Sequence, residues 1–328
     1  MLFINPRHDI RLKMNESGAK GWPFLFAVNF ELNEGYFVID PARNTSLLYS
    51  MPQSNNKPSP SLPPTENKKE LKIFPLSLEA YKAKFEIISR GLYQGNSYLA
   101  NLTVRTPIEC ALSLEEIFLL SNSPYQLLVP GRFVCFSPER FVHITNGRIS
   151  TNPMKGTINA ATPETERVIL ENFKETAEHN TIVDLLRNDL SLWAEQVHVE
   201  RFRYIDRIRS REREILQVSS EIVGTLPANY PTYLGDLIFS MLPAGSCTGA
   251  PKLSTVRLIQ EAEGEARGYY TGVFGFFDGC DLDSAVMIRF IEEEDGRKFF
   301  RSGGGITAYS NWKDEYQEVL EKIYLPFI

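Results

Sequence analysis

The chain has 328 residues, 43% of them hydrophobic, so it can bury a large core in one big domain or two ordinary ones. Its net charge of -6 lacks the basic footprint of a nucleic-acid-binding protein. No apolar run approaches the ~20 residues of a membrane span and the N-terminus has no signal-peptide pattern, so we expect a cytoplasmic protein. The four cysteines are far apart without metal-site spacing, which favours reduced thiols over disulfides or zinc.

The first part of the chain predicts a small β region. Residues 24–30 and 36–39 are apolar segments separated by an Asn-Glu-Gly turn, which is typical of paired strands. Residues 50–70 are rich in proline and serine and predict a loop or linker. We therefore divide the chain into residues 1–75, a reduced N-terminal β region, and residues 76–328, a larger unit.

Elements alternate through the next part of the chain. Apolar residues at helical spacing predict a helix at 77–94, and a strand and a short helix follow. A further strand turns at Pro138 and leads into a hairpin around an Asn-Gly pair, which is typical of a type I′ turn. The strand, the short helix and the turning strand lie at 98–104, 114–120 and 132–141.

Lys155 follows this hairpin between a proline and a glycine. Pro153 stiffens the backbone and Gly156 allows a close approach, so the lysine is held at a turn rather than on a helix face. Glu139 is expected at the corresponding end of the neighbouring antiparallel segment. The alternative is that Lys155 is a solvated lysine of a surface turn and Glu139 an exposed charge at a strand end.

The longest helical pattern runs from a Thr-Pro cap at 162–163 to residue 186, with a break near Asn172. It places Glu171, Glu175 and Glu178 on one face. Three carboxylates on one face repel one another unless they are solvated or share a cation. Both alternatives remain open at this point.

Strands are predicted at 197–199 and 215–224, with the charged residues 201–214 between them as a solvated excursion. A helix at 234–242 ends at a proline. Residues 243–252 then lead small residues into a further helix, whose free N–H groups suit an anionic ligand; a plain connecting loop is the alternative.

The C-terminal part predicts strands and a final helix. Residues 270–277 and 284–292 read as strands, and a run of three glycines at 303–305 ends the next strand, where a turn or ligand needs bare backbone. The last helix carries two glutamates at i and i+3, Glu315 and Glu318.

Eight motifs in this order resemble one family, the chorismate-using enzymes, which include component I of anthranilate synthase and of aminodeoxychorismate synthase together with isochorismate and salicylate synthases. The resemblance is close over residues 78–328 and loose over the first part of the chain. The motifs lie at 137–141, 174–179, 183–190, 243–252, 267–272, 288–289, 303–306 and 315–318.

The resemblance implies an α+β fold, with two large, orthogonally packed antiparallel β-sheets flanked by helices around one active site. It also implies a reaction. A Pro-Met-Lys-Gly-Thr sequence at 153–157 is the form associated with aminodeoxychorismate synthase, whereas the anthranilate enzymes carry a small residue in place of Lys155. The expected activity is amination of chorismate to 4-amino-4-deoxychorismate, the precursor of p-aminobenzoate and folate.

The resemblance also implies a role for each site residue. Lys155 would be the nucleophile and Glu139 the general acid for the departing C4 hydroxyl. A Mg²⁺ ion would be held by Glu178 and Glu318, with Glu175 and Glu315 close by, which gives the acidic faces a reason to converge. The residues expected to hold the enolpyruvyl carboxylate are Arg289, Tyr270, Gly303, Gly304, Gly305, Thr248 and Lys322.

Two departures refine this expectation. Gln217 stands where the anthranilate enzymes have a histidine, which favours a product that keeps its enolpyruvyl group. Residues 1–75 are short, which argues against a tryptophan site.

The chain has no glutaminase signature, so the resemblance implies a separate glutamine amidotransferase subunit as partner, with free ammonia as a substitute. The rival readings are an anthranilate or isochorismate synthase, and a non-catalytic subunit that binds the glutaminase or senses chorismate.

Overall fold

The computed structural model describes residues 3–4, 7–59, 70–159, 165–171, 173–209 and 214–327. The predicted cap at 162–163 and residues 60–69 of the predicted linker lie outside these residues. The helices are α1 (Arg7–Ala19), α2 (Leu78–Tyr93), α3 (Leu114–Leu120), α4 (Thr165–Glu171), α5 (Phe173–Ser191), α6 (Leu234–Ser240), α7 (Lys252–Glu263) and α8 (Trp312–Glu321).

The strands alternate with these helices along the chain. They are β1 (Phe3–Ile4), β2 (Phe24–Val28), β3 (Gly35–Ile39), β4 (Leu48–Met51), β5 (Ser54–Asn55), β6 (Leu71–Ile73), β7 (Leu99–Cys110), β8 (Tyr125–Val129), β9 (Phe133–Ser137), β10 (Arg140–Thr145), β11 (Arg148–Thr151), β12 (Met154–Asn159), β13 (Glu195–Arg209), β14 (Glu214–Thr225), β15 (Gly249–Ala250), β16 (Val273–Phe277), β17 (Leu282–Val286), β18 (Phe290–Glu294) and β19 (Arg297–Ile306).

Among the described residues these strands form two large sheets whose ladders are antiparallel. The ten-stranded sheet has the order β1-β3-β2-β16-β17-β10-β11-β14-β12, with β13 paired to β14. The nine-stranded sheet has the order β15-β7-β19-β18-β9-β8-β4-β5, with β6 paired to β7. The expected α+β fold with two large antiparallel sheets and outer helices is confirmed.

The apolar core is arranged in layers. One buried cluster, which includes Tyr36, Tyr49 and Phe133, lies between the inner faces of the two sheets. A second covers the outer face of the ten-stranded sheet with residues of α1, α5 and α6. A third packs α2, α7 and α8 on the nine-stranded sheet. The chain thus forms a helix–sheet–sheet–helix arrangement, the usual way for sheets and helices to bury one apolar face each.

Several element predictions were confirmed, and capping chemistry explains two of them. Ser77 caps α2 by accepting a hydrogen bond from the Ala80 amide. Ser113 and Glu116 form a capping box at α3. The hairpin predicted around Asn146 and its glycine is the β10–β11 pair, with Asn146 in the left-handed region.

Several element predictions were wrong. Residues 50–55 are not part of a loop, because they belong to β4, β5 and the turn between them at the edge of the nine-stranded sheet. Residues 201–209 are not an excursion, because they continue β13 along the edge of β14, where an edge strand tolerates charged side chains. The strand predicted at 284–292 is two strands, β17 and β18, that belong to different sheets. The glycines at 303–305 do not follow a strand but lie inside β19, paired with β7.

The N-terminal part contains more than strands. The helix α1 was not predicted, because Ile10 and Met14 are almost its only buried apolar residues. Strands β2 and β3 extend the ten-stranded sheet by pairing with β16. The boundary at residues 75/76 stays a prediction. No helix among the described residues has the length and apolar character needed to cross a bilayer.

Candidate active site

The site is built where the chain crosses between the two sheets. Only Pro138 and Glu139 join β9 of one sheet to β10 of the other, and only 287–289 join β17 to β18 in the opposite direction. The Val286 amide donates to the Glu139 carbonyl (3.1 Å), and the Phe136 amide donates to the Arg289 carbonyl (3.0 Å). The two crossings therefore run side by side. They bring two predicted site residues, Glu139 and Arg289, to one junction between the sheets, which we call the seam.

Glu139 is half-buried at this seam. Its amide donates to Ser137 Oγ (3.1 Å), and its Oε1 accepts a short hydrogen bond from the Ser246 hydroxyl. Ser246 lies in the loop between α6 and α7, so this contact joins the candidate acid to a distant part of the chain. The sequence marked this loop as a motif but gave no sign that its serine meets Glu139.

Arg289 has a φ of 53°, in the left-handed region that L-residues with large side chains rarely adopt. Such strain is commonly retained at functional sites. Its Nε donates to the hydroxyl of Tyr324 (2.9 Å), and its guanidinium lies 5.3 Å from that ring. Tyr324 is a contact that the sequence did not predict.

The carboxylates converge on the glycines of β19. A Cβ at Gly305 would lie 2.0 Å from Glu178 Oε1, so the Glu178 carboxylate packs directly against this backbone. A Cβ at Gly304 would lie 3.4 Å from both Glu315 Oε2 and Glu318 Oε1. The glycine run is therefore present because carboxylates from two helices, α5 and α8, press against bare backbone.

Two of these carboxylates are deeply buried: Glu178 is 4% exposed and Glu315 is 1% exposed. Glu175 lies three residues before Glu178 on α5, which places it on the same helix face. Glu318 is partly exposed and accepts a hydrogen bond from Lys322 Nζ (2.7 Å). Glu178 of α5 and Glu315 and Glu318 of α8 thus lie against neighbouring glycines of β19, in the region where the family resemblance implied that the two helices meet.

The backbone of the glycine run faces the same region. The Gly303 carbonyl accepts from Lys322 Nζ (2.7 Å), so it points away from β7. On β7, the partner residues of Gly303 and Gly305 direct their amides elsewhere: the Thr103 amide donates to Glu263 and the Asn101 amide to the Thr248 carbonyl. In an antiparallel strand the N–H and the C=O of one residue point to the same edge of that strand. The amides of Gly303 and Gly305 therefore face the edge of β19 that lies away from β7.

That edge is open over the glycine run. Strand β18 pairs only with Arg297–Arg301, so no strand of the described chain covers β19 beyond this point. Two backbone donors therefore face a region bordered by the carboxylates and Lys322. Such a pair of donors suits a carboxylate ligand.

The carboxylates of α5 and α8 are oxygen donors of the kind that bind Mg²⁺. Within the described residues no three His, Cys, Asp or Glu side chains are grouped so that they could together hold a metal ion. Mg²⁺ does not need such a group, because it is commonly bound through one or two carboxylates together with waters and ligand oxygens. Buried carboxylates on either helix, Glu178 and Glu315, supply the oxygen donors that Mg²⁺ prefers. The residues present fit this ion.

Tyr270 and Thr248 are both buried near this region. Burial raises the pKa of the Tyr270 hydroxyl, against the opposing charges of Arg267 and Arg289. The Thr248 hydroxyl donates to the Ala244 carbonyl (2.8 Å) and has no exposed surface, so it holds the loop before α7 in shape. Tyr270 lies in the turn before β16 rather than on the strand predicted at 270–277.

An unpredicted ion pair connects these parts. Arg267, 1% exposed, is held by Glu263 through Nε (2.9 Å) and Nη2 (2.7 Å). The same guanidinium donates to the Cys247 carbonyl (2.8 Å) and the Asn101 carbonyl (2.6 Å). It thereby fixes the loop carrying Ser246, the strand facing the glycine run and the turn carrying Tyr270. The sequence placed Arg267 in a motif without indicating this role.

Lys155 was predicted at a turn but lies in β12, which pairs with β14, the strand of Gln217. In the β12–β14 ladder Lys155 is opposite Val218, and Thr157 is opposite Gln217, with a register shift between them. The side chain of Lys155 lies outside the described residues. The β10–β11 ladder pairs His143 with Ser150 and extends no further toward Glu139, and β12 pairs with β14 rather than with β10.

Comparison with known proteins gives a family. The family model described as "chorismate binding enzyme" matches residues 16–326. An "Uncharacterized PabA-like protein" of Haemophilus influenzae is 48% identical over 95% of this chain and 94% of its own. "Aminodeoxychorismate synthase component 1" of Escherichia coli is 30% identical over 76% of this chain, which covers 57% of that protein.

A solved structure agrees with this family. Anthranilate synthase component I from Streptococcus pneumoniae superposes with a TM-score of 0.67 at 27% identity, over 79% of this chain and 61% of that one. The match agrees with the fold implied by the motifs. The two named synthases catalyse different reactions, so these likenesses alone do not choose between them.

Proposed function

Because the chain belongs to the family of chorismate binding enzymes, we propose that it aminates chorismate to 4-amino-4-deoxychorismate. The ammonia would come from a separate glutamine amidotransferase subunit. One observation carries the choice of reaction. The positions that distinguish the reactions of the family, Lys155 and Gln217, lie on the paired strands β12 and β14, where Lys155 is opposite Val218, the residue next to Gln217.

The chain's own groups suit this reaction. The Lys155 amine attacks ring C2 while the C4–O bond breaks, and Glu139 gives its proton to the hydroxyl, which leaves as water. Ammonia then forms a bond to C4 and the bond from lysine to C2 breaks, which regenerates the amine. The proton lost by the new C4 nitrogen restores Glu139. The net change is exchange of a hydroxyl for an amino group, with release of water.

The Ser246 hydroxyl supports the assigned role of Glu139. It donates to Oε1, which would fix the orientation of the carboxyl group and leave Oε2 to carry the transferred proton. Lys155 has to be unprotonated to attack, and a site closed around chorismate would favour the neutral amine by desolvation.

The remaining groups would bind the substrate. The amides of Gly303 and Gly305 suit the enolpyruvyl carboxylate, with Arg289 and Tyr270 close to the seam. Lys322 completes the proposed set, whereas Thr248, whose hydroxyl is buried and donates to the Ala244 carbonyl, would act only by shaping the loop before α7. Mg²⁺, held by Glu178 and Glu318 with Glu175 and Glu315 near them, would supply Lewis-acid stabilisation of the ring carboxylate.

Product identification tests the proposal. The purified chain is incubated with chorismate, Mg²⁺ and ammonium, and the product is identified by mass, with omission of ammonium and addition of EDTA as controls. We expect 4-amino-4-deoxychorismate. Anthranilate or isochorismate would contradict the proposed reaction, and absence of any turnover would favour a non-catalytic subunit.

Two variants test the roles of Lys155 and Glu178. Lys155→Ala should lose most amination, whereas Lys72→Ala, at an edge strand, should not change the rate. Glu178→Ala should abolish Mg²⁺-dependent turnover, whereas Glu171→Ala, an exposed glutamate at the end of α4, should keep it. Full activity of Lys155→Ala would remove the nucleophile role and leave a positioned charge at most.

A further inference from the structure

The loop between α6 and α7, residues 242–251, presents its groups to the candidate site at successive positions. Ser246 donates to Glu139, the Cys247 carbonyl accepts from Arg267, and the Thr248 carbonyl accepts from the Asn101 amide. A small displacement of this loop would therefore move the Glu139 carboxyl and the backbone next to the glycine run together. The groups that hold this loop are as important to the site as those that line it.

One side chain closes this loop at its ends. Lys252, the first residue of α7, donates from Nζ to the carbonyl of Met241 (2.6 Å), the residue just before the loop. The same Nζ pairs with Asp189 Oδ2 (2.6 Å) in the last turn of α5. Both side chains are largely buried, with 19% and 10% of their surface exposed. The loop is thus tied to itself and to the helix that carries Glu178.

Neither residue suits its own helix. A cation in the first turn of a helix and an anion in the last turn both oppose the helix dipole. Burial also lowers the pKa of Lys252 and raises that of Asp189, and each charge counteracts the shift of the other. Two residues that conflict with their local structure indicate that another requirement has fixed them.

The loop is also packed tightly on α5. A Cβ at Gly245 would lie 2.8 Å from Leu185 Cδ2, so the loop backbone touches the helix one turn before Asp189. The contact and the ion pair act on the same two segments. They set the distance between α5 and Ser246.

We propose that Lys252 and Asp189 are positioning residues for the reaction of this site. Their ion pair, with the Met241 carbonyl, fixes loop 242–251, and through Ser246 it fixes the Glu139 carboxyl relative to the carboxylates of α5. This inference rests on the proposed function for the role of Glu139. Neither side chain needs to touch the substrate.

A double-mutant cycle tests whether Lys252 acts through Ser246. Lys252→Met should lower kcat for chorismate loss by about 10- to 100-fold with little change in KM, since about 1 Å of misplacement can cost a hundredfold. In the Ser246→Ala background, the same change should cost less than about threefold, because coupled residues are not additive. Lys252→Arg should recover part of the rate. Losses that simply multiply would overturn the inference.

A matched control separates this role from general stability. Lys84 on α2 also binds helix carbonyls from the side, donating to Ala262 and Glu263 at the other end of α7. Lys84→Met removes a comparable contact away from loop 242–251, so kcat should stay within about twofold of wild type. An equal fall of kcat in Lys84→Met and Lys252→Met would show that loosening α7 anywhere has the same effect, contrary to the proposal.

Amide hydrogen exchange provides a readout that does not require turnover. In Lys252→Met and in Asp189→Asn, exchange of the amides in 242–251 should accelerate at least tenfold, while exchange in β2 and β16 stays as in wild type. Unchanged exchange in 242–251 would overturn the positioning role even if the proposed reaction holds. The kinetic measurements follow the loss of chorismate, whatever product forms. An unexpected product would therefore refute the proposed function and leave the test of the positioning role intact.

Discussion

Gly305→Ala tests the convergence of the carboxylates on β19 most directly. The new Cβ would lie 2.0 Å from Glu178 Oε1, whereas ordinary contacts begin at 3.4 Å, so the carboxylate has to move by about 1.4 Å. A displacement of about 1 Å in a positioned group can cost a hundredfold in rate, which corresponds to about 2.7 kcal/mol of transition-state stabilisation. We therefore expect kcat/KM for chorismate to fall about 100-fold or more, with a higher Mg²⁺ concentration needed for half-maximal rate.

Gly304→Ala is the matched control. Its Cβ would meet Glu315 and Glu318 at 3.4 Å, an ordinary contact, so no carboxylate has to move and the loss should stay within about threefold. Both variants keep the backbone amides of β19. Steady-state rates are measured across a Mg²⁺ titration, and thermal unfolding shows that the variants are folded. Wild-type rate and Mg²⁺ dependence in Gly305→Ala would refute the placement of Glu178 against this strand.

Three further predictions concern stability. Arg267→Met leaves the buried carboxylate of Glu263 without its partner and should lower the free energy of unfolding by about 3–5 kcal/mol in urea titrations, while Arg267→Met combined with Glu263→Leu should recover most of it; additive losses would contradict this. Burial raises the pKa of Asp283, so the folded state binds its proton more tightly than the unfolded state does. The contribution of this residue to stability therefore falls as the pH rises from its pKa in the unfolded chain to its higher pKa in the folded protein. Asp283→Asn should remove that dependence, which denaturant unfolding from pH 4 to 7 measures, and an unchanged pH profile would contradict it. Gly249→Ala, at φ 125° and with its Cβ 1.8 Å from the Leu99 carbonyl oxygen, should destabilise the protein by more than about 2 kcal/mol, and a smaller loss would mean that β15 moves away from β7 at little cost.

Much of the fold could be predicted because local signals agreed with the final structure. The helix at 77–94 has a serine cap and a clear apolar face, and the Asn-Gly turn defines its hairpin. The acidic residues of α5 and α8 could be grouped because helical spacing places Glu175 with Glu178 and Glu315 with Glu318. The family motifs then supplied what spacing cannot give, the expectation that the two helices meet.

The wrong predictions lie where contacts with distant parts of the chain determine the local structure. Nothing local separates β17 from β18, because the apolar pattern continues across 287–289 and only the positive φ of Arg289 marks the change of sheet. Residues 201–209 are charged, yet β14 supplies their backbone partners. Two contacts of the site could not be predicted: Ser246 with Glu139, and Arg267 with the Cys247 carbonyl. Each joins residues that are well separated in the sequence, and patterns within a single sequence carry no information about such pairs.

The short crossings between the sheets have a consequence for how this chain can vary in length. Two residues separate β9 from β10 and three separate β17 from β18, and each linker has a different sheet at either end. Linkers this short could not accommodate an inserted residue without moving one of the strands that they join. An insertion would shift one strand by a single step and turn its core-facing side chains outward. Insertions and deletions should therefore accumulate in the surface connections and be excluded from the segments that hold Glu139 and Arg289, where chain length itself determines the structure.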